Sequence, residues 1–174
     1  NLGKTTFEIY DDLTIKDIQD AADLFNPVYK KTNGLDGYVS LEINPKLAFQ
    51  IDETIKEGKR LHKAVNRPNV MFKVPSTEEG FSAVEELLSE GINVNITLIF
   101  SLEQYVKTAH AFLKGLKRLL DKGGDVSKIA SVASVFVSRI DTAVDKQLDE
   151  KILKEQNDNI KNKLKSLQGK AAVA

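Results

Sequence analysis

A single lysine interrupts an otherwise apolar run, Asn69-Val70-Met71-Phe72-Lys73-Val74-Pro75. Strand side chains alternate between faces, so Val70, Phe72 and Val74 share one side while Met71 and Lys73 share the other. An amine tied to so apolar a run is expected to be partly desolvated, which disfavours its charged form. A lysine treated in that way can act as a nucleophile at neutral pH and form a Schiff base with a carbonyl compound. The bland alternative is a lysine that snorkels to solvent or pairs with a carboxylate. The strands around it bear on the choice.

Apolar periodicity predicts a helix from Leu13 to about Lys31, which Pro27 should kink or interrupt. A turn at Asn33-Gly34 leads into a first strand, Gly37 to Ile43. A helix follows with Leu47, Ile51, Ile55, Gly58, Leu61 and Val65 as its buried stripe. Val70 to Val74 is the second strand, and Thr77 can cap a helix running to about Glu90. The third strand is Asn93 to Phe100, after which Ser101-Leu102-Glu103-Gln104 reads as a capping-box start. That helix stops near Gly123-Gly124, Ile129 to Val137 is the fourth strand, and a lysine-rich helix spans about Thr142 to Gln168. Strand alternating with helix implies parallel strands joined by crossover helices.

Strands of a sheet covered on both faces usually read as continuous apolar runs. These do not. The first places Tyr38, Ser40 and Glu42 on one face, and the third places Asn93, Asn95 and Thr97 together. The fourth carries Ser134, with Arg139 just beyond its end. Polar groups towards the C-terminal ends of successive strands suit the mouth of a TIM barrel, whose helices wrap the outside. Taken singly, Asn95 or Thr97 could be a satisfied core polar group and Glu42 a mere ion-pair partner of Lys73. Four polar-bearing strands in succession favour a shared site.

The chemistry such a site suits is concrete. A neutral Lys73 amine attacks a ketose carbonyl, and the resulting iminium draws electrons from the neighbouring carbon–carbon bond as it breaks. Glu42, the carboxylate within the strands, is the candidate to move protons, through a water or directly. Asn95, Thr97 and Ser134 can hydrogen-bond sugar hydroxyls, and Arg139 suits a bidentate grip on a phosphate. His62 and His110 sit on helices without a partner at metal spacing, and Gly123-Gly124 lies in no phosphate-binding pattern. No metal and no cofactor is expected.

Composition bounds the alternatives. Twenty-five basic residues balance 25 acidic ones in 174 residues, so there is no basic field for nucleic acid. Zero cysteines excludes disulfides and thiol catalysis and fits a cytoplasmic location. No apolar run approaches the ~20 residues of a membrane span. The chain opens on Asn1 and closes as an apolar segment begins, as expected for the central portion, residues 1–174, of a single larger barrel domain truncated at both ends.

In four ordered stretches the sequence resembles transaldolase. They are Gly37-Tyr38-Val39-Ser40-Leu41-Glu42-Ile43-Asn44-Pro45, the run from Arg67 through Lys73 to Thr77, the run from Gly91 through Asn95 and Thr97 to Ser101, and the run from Ser131 through Ser134 and Arg139 to Asp141. The resemblance implies a (β/α)8 barrel of the Schiff-base aldolase type, here a partial barrel of about four parallel strands with crossover helices. It implies transfer of a dihydroxyacetone unit between sugar phosphates in the pentose phosphate pathway, without metal or cofactor. By match the Schiff-base lysine falls on Lys73, the strand glutamate on Glu42, the substrate-lining residues on Asn95, Thr97 and Ser134, and the phosphate-binding arginine on Arg139. The helix before the Glu42 strand resembles the longer transaldolases more than the compact fructose-6-phosphate aldolases.

The family's aspartate-bearing first strand, its asparagine-bearing second strand and a further phosphate-contacting arginine have no counterpart here. The isolated chain is therefore expected to turn over negligibly. Two alternatives stay open: an aldolase that releases free dihydroxyacetone, and a non-catalytic half barrel that binds sugar phosphate. Unpaired outer strands should invite self-association.

Overall fold

Alternation of strand and helix dominates the computed structural model, which describes residues 3–171. Helix α1 (Thr6–Lys31) leads to strand β1 (Val39–Glu42), then α2 (Ile51–Val65), β2 (Val70–Pro75), α3 (Glu78–Ser89), β3 (Val94–Ile99), α4 (Leu102–Asp121) and β4 (Ser131–Val135). The strands form one sheet in the order β1-β2-β3-β4, so each crossover places a strand beside its predecessor. Parallel registers set Glu42 beside Lys73 and Lys73 beside Asn95. The chain divides into two compact units, Asn1–Ser134 and Val135–Ala174. The apolar end of the sequence, from 172 onwards, lies outside the described residues.

In the first unit the core forms between the helices and one face of the sheet. Leu41, Ile43, Val70, Phe72, Val74, Val94 and Ile96 meet Leu61 and Val65 of α2, Val84, Leu87 and Leu88 of α3, and Ala111 of α4. Each large side chain buried this way contributes about 1.5–3 kcal/mol. The face on which the alternation placed Lys73 is left out of that core.

Local sequence explains how the strands are aimed. Thr77 caps α3 by accepting the Gly80 N–H at 2.9 Å, and its hydroxyl donates to the Ala48 carbonyl at 2.8 Å. A Cβ on Gly80 would stand 2.0 Å from the Pro75 carbonyl oxygen, so only glycine lets α3 start this close to the end of β2. At the opposite end of β2, Asn69 is 1% exposed and donates to the carbonyls of Ala22 and Gly37, at 2.8 and 2.9 Å. One carboxamide thereby ties α1 and the entry to β1 onto the sheet.

Several element boundaries differ from expectation. Helix α1 begins at Thr6, well before Leu13, because Thr5 and Glu8 form a reciprocal capping box. It also continues through Pro27 to Lys31 without interruption. The second unit holds two helices where one was expected, α5 (Val137–Lys154) and α6 (Asp158–Lys165). Between them the Glu155 carboxylate accepts the N–H groups of Gln156 and Asn157, at 2.9 and 2.8 Å, and Asn157 caps α6. Those local bonds outcompete helix continuation. Strand β4 is shorter than the predicted Ile129–Val137, since Val137 already belongs to α5.

Candidate active site

The four strands contain two charged residues, Glu42 at the end of β1 and Lys73 near the end of β2. The Lys73 Nζ stands 3.8 Å from Glu42 Oε1, with side-chain exposures of 29% and 54%. At that distance the two are an ion-pair contact rather than a hydrogen bond. The amine therefore lies beside the carboxylate and is partly sheltered from solvent.

Asn95 lies beside Lys73 on β3 and is held from both sides. Its Nδ2 donates to the Ser40 hydroxyl at 3.1 Å, and its Oδ1 accepts from the Ser134 hydroxyl at 2.7 Å. Ser40 is on β1 and Asn95 on β3, with β2 between. Strands two apart in a flat sheet run about 9.5 Å from one another, beyond the reach of two short side chains. The contact therefore requires a curled sheet whose polar face is concave. Alternate strands meeting across an intervening one is the layering of a barrel interior.

Thr97, two residues further along β3, is 2% exposed, and its hydroxyl has no partner among the described residues. A buried hydroxyl left unmet costs free energy, and a water or substrate oxygen would relieve it. The next residue, Leu98, adopts φ +63°, an outlier for a bulky side chain. Neighbours hold it there. The Ser76 hydroxyl donates to the Leu98 carbonyl at 2.9 Å, Gln104 Nε2 donates to the Ser76 carbonyl and hydroxyl oxygens at 3.2 and 3.1 Å, and Gln104 Oε1 accepts the Phe100 N–H at 2.9 Å. The expected capping box of α4 is thus half realised. Ser101 caps the Gln104 N–H at 3.1 Å, while the Gln104 side chain reaches Phe100 and the end of β2.

Asn93 shared the predicted polar face with Asn95 and Thr97 but has structural work. It donates to the Pro68 carbonyl at 3.1 Å and accepts the Ala130 N–H at 2.9 Å, locking the entries of three strands. Arg139 lies in the second unit, inside the first turn of α5 rather than on a strand end. It is exposed, and its guanidinium carbon sits 4.9 Å from the Phe136 ring centroid, a cation–π geometry. Glu42, Lys73, Asn95 and Ser134 are therefore linked in the first unit by register and hydrogen bonds. Ser40, Ser76, Gln104 and Asn69 are not marked as site residues by the sequence. Strand alternation had already placed Ser40 on the right face, whereas the other three reveal themselves only through contacts distant in sequence.

Among the described residues, no group of three His, Asp or Glu side chains is placed to hold a metal, and no helix is long and apolar enough to cross a membrane. His62 packs edge-on against Phe72, ring centroids 5.9 Å apart, and burial lowers its pKa. A cleft of about 980 Å3 opens along the entry side of the concave face, with Tyr38, Ser40, Met71 and Ser131 in its lining. Lys73 stands outside that lining.

Comparison with known proteins covers nearly the whole chain. The family described as Transaldolase/Fructose-6-phosphate aldolase matches residues 1–171. The chain belongs to that family. Its relatives include a transaldolase from Trichodesmium erythraeum (strain IMS101), 50% identical over 172 residues, which covers 99% of this chain and 45% of the relative. Transaldolase 2 of Nostoc sp. (strain PCC 7120 / SAG 25.82 / UTEX 2576) is 45% identical over 173 residues, covering 99% and 45%. A transaldolase of Thermobifida fusca (strain YX) is 49% identical over 162 residues, covering 93% and 42%. The chain thus spans less than half the length of these transaldolases. Its four strands and crossover helices form a partial α/β barrel within the transaldolase/fructose-6-phosphate aldolase family.

Proposed function

We propose that the protein carrying this chain is a transaldolase, moving a dihydroxyacetone unit between sugar phosphates through a Schiff base on Lys73. The reading is carried by one observation, the Lys73 amine 3.8 Å from the Glu42 carboxylate on the concave face of the sheet. Lys73 attacks the carbonyl carbon of a ketose phosphate such as fructose 6-phosphate or sedoheptulose 7-phosphate. Glu42 moves protons as the carbinolamine loses water, directly or by way of a water bound beside the pair. A base beyond these four strands takes the proton of the hydroxyl on C4, and the iminium at C2 receives the electrons of the C3–C4 bond as it breaks. An aldose phosphate departs, and the enamine is left to add to an acceptor such as glyceraldehyde 3-phosphate or erythrose 4-phosphate. Asn95 and Ser134 hydrogen-bond substrate hydroxyls, the unmet Thr97 hydroxyl takes a water or substrate oxygen, and Arg139 binds phosphate. This chemistry belongs to the pentose phosphate pathway in the cytoplasm.

Borohydride reduction in the presence of fructose 6-phosphate tests the reading. A reduced adduct on Lys73, located by mass spectrometry, is expected; its absence sinks the nucleophile. The family also includes aldolases that release dihydroxyacetone. The 26-residue α1 and relatives named transaldolase favour transfer, so product should form only when an acceptor aldehyde is supplied. The four strands alone should turn over negligibly, since they provide a nucleophile and one carboxylate but no second acid/base group. Robust dihydroxyacetone transfer by residues 1–174 alone would refute that. The outer edges of β1 and β4 pair with no further strand among the described residues, so this chain alone should self-associate as its concentration rises. A strictly monomeric species in light scattering would count against it.

A further inference from the structure

We infer that Ser40 is a positioning residue for the Lys73 chemistry, acting through Asn95, and that it takes no part in bond making. The inference rests on the Schiff-base reading of Lys73.

A carboxamide on its soft terminal torsion turns readily unless both ends are anchored. Here Ser134 donates to Oδ1 at 2.7 Å and Nδ2 donates to Ser40 at 3.1 Å, so the plane of the Asn95 amide is set by hydroxyls from the two edge strands. The group has two N–H donors and two acceptor sites. The two bonds use one of each and leave an N–H and a lone pair for a ligand held at the neighbouring Lys73.

Ser40 does a second thing by the same bond. It lies two residues before Glu42 on β1, and Asn95 is the register neighbour of Lys73 on β3. The Ser40–Asn95 bond therefore spans β2 and holds the strand of the carboxylate against the strand of the amide, with the nucleophile's strand between. Loss of the hydroxyl frees the amide beside Lys73 and relaxes the curl of the sheet at that point. The Ser40 backbone stays in the ladder, so the fold does not depend on it.

The test uses the protein carrying this chain, with fructose 6-phosphate and borohydride, and reads the rate at which Lys73 is trapped. Ser40→Ala should slow trapping about tenfold with an unchanged melting temperature, and Ser40→Thr, which keeps a hydroxyl, should restore most of the rate. In an Asn95→Ala background, Ser40→Ala should have little further effect, because the two act as one unit. A Ser40→Ala rate within about twofold of the unsubstituted protein, or an equal slowing in both backgrounds, overturns the inference. Should the alanine variant fail to fold, proton exchange of the Asn95 side-chain amide in the unsubstituted protein decides. Protection supports the anchored amide, and exchange at the rate of free asparagine overturns it. No adduct in the unsubstituted protein overturns the Schiff-base reading and this inference together. An adduct indifferent to Ser40 overturns this inference alone.

Discussion

Asn93, just before β3, and Asn95, within it, stand two residues apart and share one face, yet they do different work. Asn93, at the entry of β3, spends its carboxamide on backbone groups, the Pro68 carbonyl and the Ala130 N–H. Asn95, two residues further along, meets only hydroxyls and keeps bonding capacity in reserve beside Lys73. Asn69 repeats the pattern on β2, a backbone latch at the entry four residues before the lysine. At the entry end, polar side chains close gaps between elements. At the exit end they are left partly open, and strain is tolerated, as at Leu98 with φ +63°. On the proposed function, stability and chemistry are separated along the strands, as the two ends of a barrel allow.

Substitutions can break that separation or sharpen it. The largest effect is expected from Lys73→Arg, which keeps a cation beside Glu42 but offers a guanidinium too basic to attack a carbonyl. No reduced adduct should form with fructose 6-phosphate, while the denaturant midpoint stays close to that of the parent. Glu42→Gln should slow adduct formation by about 10²–10⁴-fold, the usual contribution of a positioned proton-transfer group. An undiminished rate would move the acid/base role to another residue.

Entry-end substitutions should show the opposite profile. Asn69→Ala leaves two buried carbonyls without their donor and should cost about 2–4 kcal/mol in urea unfolding, and Asn93→Ala about 1–3 kcal/mol. Both should leave the Lys73 trapping rate of the folded protein unchanged. Asn95→Ala should reverse this, lowering trapping by about ten- to a hundredfold at little cost in stability. If Asn93→Ala slowed trapping as much as Asn95→Ala, the division between the two ends would be wrong.

The smallest effect is a titration. The Tyr38 hydroxyl donates to the Gly34 carbonyl at 2.8 Å, and its ring meets Tyr29 edge-on at 5.3 Å. Burial, with Tyr29 beside it, pushes its pKa up to about 12. Unfolding lets the phenol ionise near 10, so the unfolded chain holds fewer protons above that pH. Stability linked to Tyr38 is therefore complete below pH ~10 and is lost as pH rises towards ~12. Ultraviolet titration should show one late phenolate that is absent in Tyr38→Phe, and that variant should lose part of the alkaline destabilisation.

Much of the fold was legible because its signals are local. Alternation along a strand and apolar spacing along a helix depend on neighbours in sequence, and Thr77 and Ser101 cap their helices where a capping residue was read. Local signals mislead where two of them compete. Pro27 removes an N–H but does not stop α1, whose Ile15, Ile18 and Ala22 are already packed on the core. Glu155 and Asn157 break an apparently continuous helix with their own side chains. The Thr5–Glu8 capping box starts α1 about two turns before the apolar stripe begins.

The residues themselves determined which groups could do chemistry: one lysine and one glutamate within the strands, with hydroxyls and carboxamides on the same face. Side-chain alternation is a property of the extended backbone, so that list needed no coordinates. Only the tertiary structure decided which of those groups meet. The curl of the sheet joins Ser40 to Asn95 across a strand, the register sets Glu42 3.8 Å from Lys73, and Asn93 is claimed as a latch while Asn95 is left to the site. Those distances follow from long-range packing of helices against one face, which no short stretch of sequence encodes.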